Sequence, residues 1–242
     1  MIVKCIDVKK RFPIQRGHLR QTAGFVNAVD GVTLNIKKGQ TFGLVGESGC
    51  GKTTLGKLIL GILKPDSGAI TVDAKKVQVV FQDPQNSLDP KMKVLDIISE
   101  GLVIQGSEIK NRVEEILDLV RLPQSALSKF PHQFSGGEKQ RIAIARAVIT
   151  DPEFIVCDEP VSSLDVTVQL DILNLLKDIK KEFAMTYLFI SHDLRVVRFM
   201  CDRVAVMKEG KIVEEGEIQK VYSNPAHPYT KLLLSSVLEI SC

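Results

Sequence analysis

An α/β layered fold is predicted by three observations. Short apolar runs suited to buried strands alternate with longer segments whose apolar residues recur at helical spacing. Several of those runs end in glycine-rich, acidic or polar turns, as strands do at the ligand-binding edge of such sheets. Apolar residues make up 44% of the 242-residue chain and charged ones 25%, a balance that can bury a full core.

The elements follow in order. "QTFGLV" (40–45) reads as a strand running into a glycine-rich turn, and "KTTLGKLILGI" (52–62) continues as a helix. "VQVVF" (77–81) is a second strand, ending at Gln82. The stretch from about 84 to 150 is mainly helical, with Val113, Ile116, Leu117 and Val120 on one helix face. "FIVC" (154–157) has the composition of a buried strand and leads into Asp158 and Glu159. Val168, Ile172, Leu175, Leu176 and Ile179 then mark one face of a further helix. "TYLFI" (186–190) is a strand that ends in Ser191-His192-Asp193. "RVAVMKEGKIVEEG" (203–216) predicts a hairpin about Glu209-Gly210, and "YTKLLLSSVL" closes the chain as a helix. The expected organisation is one domain over 1–242. Its core takes residues 1–83 and 151–220, a helical subdomain 84–150, and a tail 221–242.

Composition excludes several classes. The net charge is only +3 and the 32 basic residues are scattered, so nucleic acid is not an expected partner. No apolar run approaches the roughly 18 residues that span a bilayer. The amino terminus "MIVKCIDVKK" meets charge too early for a signal peptide. Cysteines at 5, 50, 157, 201 and 242 lack CxxC spacing and read as isolated thiols.

The chemistry is concentrated in a few motifs. "GESGCGKT" (Gly46–Thr53) satisfies G-x-x-x-x-G-K-[ST] between a strand and a helix, the context in which backbone N–H groups cradle phosphates. Gly46, Glu47, Ser48, Gly49, Cys50, Gly51, Lys52 and Thr53 are therefore the expected nucleotide-binding residues. Lys52 can neutralise β- and γ-phosphate oxygens, and the Thr53 hydroxyl can ligate Mg²⁺. Asp158 is placed to hold Mg²⁺, and Glu159 to orient a water and take its proton. Gln82 and His192 end strands. Gln82 can contact the metal or the attacking water, and His192 the γ-phosphate or Glu159.

"FSGGEKQR" (134–141) allows two readings. Ser135 and Glu138 have capping-box spacing, but two glycines exceed what a cap needs, which suggests close approach by another group. In order along the chain, "GESGCGKTT", "FQDP", "FSGGEKQR", "FIVCDEP", "SSLD" and "SHD" resemble the nucleotide-binding subunit of an ATP-binding-cassette (ABC) transporter, from about residue 2 to 235. The resemblance implies a P-loop NTPase (RecA-like) core, an antiparallel β edge region and a helical subdomain.

It also implies roles, and it extends the nucleotide-binding residues to Thr54. Gln82 matches the Q-loop, Ser135–Glu138 the signature motif, Phe154–Glu159 the Walker B strand, Ser162–Asp165 the D-loop and His192 the switch histidine. Ser135, Gly136 and Gly137 would address ATP held by a second ABC ATPase, and Phe12, with Phe25 as rival, would stack on adenine. The tail "NPAHPYTKLLLSSV" and "FQDPQNSLDPKM" are similar to those of peptide and nickel importers. The implied setting is the cytoplasmic face of the membrane. The implied partners are two permease subunits, with an extracytoplasmic substrate-binding protein acting indirectly. Rival readings are a soluble ABC ATPase without a transport role and a nucleotide-binding regulatory module without turnover.

Overall fold

A computed structural model describes residues 1–16, 21–106 and 110–238. The chain forms two compact units, residues 1–73 with 188–242, and residues 74–187.

The first unit begins with β1 (Val3–Arg16) and β2 (Gln21–Ile36), which pair antiparallel. Register shifts after Cys5 and Val8 mark bulges, which twist the ribbon. β3 (Thr41–Val45) follows, then α1 (Lys52–Ile59) and β4 (Ser67–Val72), which completes a three-stranded antiparallel sheet in the order β2-β1-β4. Every residue of β3 is buried, as expected of a strand covered on both faces.

The second unit contains β5 (Val77–Val80), α2 (Pro84–Ser87), α3 (Val94–Gln105), α4 (Lys110–Leu119), α5 (Gly136–Val148), β6 (Phe154–Asp158) and α6 (Val166–Phe183). β5 and β6 run parallel. The predicted apolar face of α4 is buried at Val113, Ile116, Leu117 and, just past the helix, Val120. On α6 the buried residues are Ile172, Leu173, Leu175, Leu176 and Ile179, while Val168 is only half-buried. Val168 instead packs on α5: a Cβ added at Gly137 would stand 2.5 Å from its Cγ1.

β7 (Thr186–Ile190) carries the chain back to the first unit, where α7 (Leu194–Met200), β8 (Arg203–Lys208), β9 (Lys211–Glu217), α8 (Ile218–Ser223) and α9 (Pro228–Leu238) follow. β3 pairs parallel with β8, and β8 antiparallel with β9. The predicted hairpin turns at Glu209 and Gly210, whose φ values of 47° and 81° are both positive, as a type I′ turn requires. Among the described residues, no helix is long and apolar enough to cross a membrane.

Candidate functional site

In the first unit, the loop between β3 and α1 is shaped by its glycines. A Cβ on Gly46 (φ 151°) would lie 2.1 Å from the Met207 carbonyl oxygen, and one on Gly51 (φ 111°) 1.9 Å from that of Ala28. Both glycines are thus demanded by the protein's own backbone. Gly49 differs: its φ of 81° calls for glycine, yet nothing lies within 4 Å of where a Cβ would stand.

Glu47, Ser48 and Gly49 are exposed, whereas Gly46, Cys50, Gly51 and Lys52 are buried. Thr53 and Thr54 sit in the first turn of α1, which has neither a side-chain cap nor an acidic residue there, so the positive potential of its amino terminus is left for an anion. The Lys52 ammonium donates to the carbonyl oxygens of Gly46 and Glu47, each at 2.8 Å, and lies 3.7 Å from Cys50 Sγ. Burial raises the Cys50 thiol above its ordinary range despite the opposing charge of Lys52.

His192, also in this unit, is exposed between two caps. Ser191 Oγ accepts the Asp193 N–H at 3.0 Å, and the Asp193 carboxylate accepts the Arg195 N–H at 2.8 Å at the start of α7. Phe12 and Phe25 pair with Val26 and Pro13, consecutive positions in the ribbon, so the two rings lie on opposite faces. A single adenine could therefore use only one of them.

In the second unit, two predicted catalytic residues come together. Gln82 Nε2 donates to Glu159 Oε2 at 3.3 Å. Asp158 ends β6 as a buried carboxylate, and Glu159 follows at φ 49°. A left-handed conformation at a residue other than glycine costs about 1–3 kcal/mol and persists only where the surrounding structure holds it. The turn is held by Ser162, whose N–H and hydroxyl both donate to the Glu159 carbonyl, at 3.3 and 3.1 Å. Asp165 caps α6 by accepting the Val168 N–H at 3.0 Å.

The stretch Ser135–Glu138 forms a full capping box. Ser135 Oγ accepts the Glu138 N–H at 3.3 Å, while Glu138 Oε2 accepts both the N–H and the hydroxyl of Ser135 at 2.8 Å. The two glycines also have a reason inside the fold. Gly137 makes room for Val168, and a Cβ on Gly136 would lie 3.3 Å from Leu164 Cδ2. The close approach that the glycines suggest is therefore made first by this chain's own side chains.

Donation from the Ser135 N–H, then from its hydroxyl, holds the Glu138 carboxyl below its usual range. With the folded pKa depressed, the cap's contribution is complete above the unfolded value, about 4.3, and is lost as pH falls through the folded value. The stability difference between wild type and Glu138→Ala, followed by urea denaturation, should be constant at neutral pH and shrink below about pH 4. A difference that stays flat to pH 2 would remove the carboxylate from the cap.

Residues 29–162 match the family described as ABC transporter. The chain belongs to the ABC transporter family. Residues 213–241 match a second family, described as the C-terminal region of oligopeptide/dipeptide transporters. The chain is 46% identical to the oligopeptide transport ATP-binding protein AppF of Bacillus subtilis, over 98% of this chain and 78% of that protein. It is 47% identical to the oligopeptide transport ATP-binding protein OppF of Streptococcus mutans, over 98% of this chain and 82% of that protein. Among solved structures, it resembles the dimeric post-hydrolysis state of the ATP-binding cassette MJ0796 bound to ADP and Pi. That likeness has a TM-score of 0.76 at 28% identity, covering 89% of this chain and 98% of the other. The fold is that of a P-loop NTPase, with parallel and antiparallel sheets, and the chain is an ATPase.

Tyr229 also reaches the loop between β3 and α1. Its hydroxyl accepts the Glu47 N–H at 3.2 Å, within the phosphate loop. The only sequence signal was the "HPYT" stretch, which pointed to a subfamily and to no contact.

Proposed function

We propose that this chain binds and hydrolyses ATP to energise peptide uptake through separate membrane subunits. The single observation that carries the hydrolytic half is the Gln82–Glu159 hydrogen bond at a left-handed turn. Glu159 is the general base: its carboxylate takes a proton from water as the water attacks the γ-phosphorus and the bond to the β–γ bridging oxygen breaks. Gln82 aligns that carboxylate. Lys52 and the loop Gly46–Thr54 bind the β- and γ-phosphates, and His192 contacts the γ-phosphate. Phe12 stacks on the base.

The oxygen donors suit Mg²⁺: the Thr53 hydroxyl, the Asp158 carboxylate and the Gln82 side-chain oxygen, since Gln82 commits its nitrogen to Glu159. Mg²⁺, when bound, neutralises the charge on the β- and γ-phosphates. Among the described residues no cluster of three or more His, Cys, Asp or Glu stands ready for a metal, and Mg²⁺ bound largely through phosphates and water needs none.

Ser135, Gly136 and Gly137 address nucleotide on a second ABC ATPase, whether another copy or a sister chain. The whole chain acts as one ABC ATPase domain with 84–150 as its helical subdomain, at the cytoplasmic face of the membrane beside two permease subunits. The relatives' names and the C-terminal match favour peptide over nickel cargo, and favour transport over a soluble role. Vesicles reconstituted with this chain, its partner ATPase, the permeases and the binding protein should accumulate labelled oligopeptide only with MgATP. MgATP-driven uptake of a nickel chelate without uptake of peptide would overturn the peptide assignment.

A further inference from the structure

The peptide unit joining Gly46 to Glu47 is bonded at both of its polar groups. Its carbonyl accepts the Lys52 ammonium at 2.8 Å, and its N–H donates to the Tyr229 hydroxyl at 3.2 Å. The cation on the carbonyl polarises the same amide, so the two bonds strengthen each other. Flipping this peptide would break both.

Tyr229 is itself firmly placed. It is buried, its ring lies under the Lys208 ammonium at 5.0 Å from the centroid, and its N–H donates to His227 Nδ1 at 3.1 Å. Upstream of it, the Glu214 carboxylate accepts the N–H groups of Ala226 and His227 at 2.8 and 2.9 Å, anchoring the chain as it enters α9. Burial opposes ionisation of Glu214, but the donors around it prevail and hold its carboxyl below the usual range. A continuous set of bonds thus runs from β9 through the start of α9 to the phosphate loop.

We propose that Tyr229 is a positioning residue for that loop: its hydroxyl fixes the Gly46–Glu47 peptide in the orientation that receives phosphates, so the C-terminal segment sets the affinity for ATP. This inference rests on the reading of Gly46–Thr54 as the nucleotide site.

Tyr229→Phe tests it, because the ring under Lys208 is kept and only the hydroxyl is lost. A neutral hydrogen bond contributes about 0.5–1.5 kcal/mol, which corresponds to a roughly 2- to 10-fold weaker Kd for MgATP. The variant should show that loss together with a raised KM, an unchanged kcat at saturating ATP and faster hydrogen exchange at the Glu47 amide. An unchanged Kd with unchanged Glu47 exchange would overturn the proposal. A Lys52→Ala control separates the two levels. If that variant loses nucleotide while Tyr229→Phe binds normally, only this inference fails; if it binds like wild type, the reading of the loop fails as well. The wild-type chain supplies a test that needs no variant: its Glu47 amide should be protected, and exchange at the rate of an open peptide would contradict the assignment.

Discussion

Glu159→Gln should lower ATP turnover by at least about 100-fold, the lower bound for losing a positioned general base, while MgATP binds as in wild type. The amide has the shape of the carboxylate and can still meet Gln82, which donates to Glu159 Oε2, but it cannot take a proton from water. Binding should survive because the phosphate loop is built by other residues and closed by its own glycines. With ATP bound and unspent, the variant should accumulate as a nucleotide-bound ATPase dimer, visible by light scattering in MgATP and absent in MgADP. Near-normal phosphate release would take Glu159 out of the base role.

Lys52→Ala should have the second large effect. Hydrogen bonds to a charged group contribute about 1.5–3 kcal/mol, so losing the ammonium should weaken MgATP binding roughly 10- to 150-fold. The substitution also takes the ammonium from the buried Gly46 carbonyl, whereas the Glu47 carbonyl keeps the Cys50 N–H at 3.3 Å. Some loss of thermal stability should therefore accompany the loss of affinity, and binding is best measured well below the variant's melting transition. Unaltered affinity would contradict the phosphate-loop assignment.

Much of this architecture was legible in the sequence, wherever the signal is local. The strand before Gly46, the helix face Val113-Ile116-Leu117-Val120 and the turn at Glu209-Gly210 each follow from short-range periodicity or turn chemistry, and each is present. The capping box at Ser135 and Glu138 was equally readable from its spacing.

What the sequence concealed lies in contacts between segments far apart along the chain. Nothing near Gly137 announces that Val168 occupies the space of its missing Cβ, or that Met207 and Ala28 fill the space beside Gly46 and Gly51. The bulges of the β1–β2 ribbon, and with them the separation of Phe12 from Phe25 onto opposite faces, depend on pairing register and not on composition. Tyr229 is the clearest case. The sequence around it marks only a helix-like tail, and its bond to Glu47 exists because β8, β9 and α9 return to the phosphate loop.

This chain converts the ATP it binds to ADP and phosphate. A single-turnover assay tests it most directly, with labelled ATP limiting and wild-type chain in excess together with its partner ATPase, beside Glu159→Gln. Label bound to wild type should be recovered as ADP and phosphate, and label bound to the variant as ATP. Recovery of intact ATP from the wild-type assembly, with binding still dependent on Lys52, would contradict hydrolysis and describe a nucleotide-holding module instead.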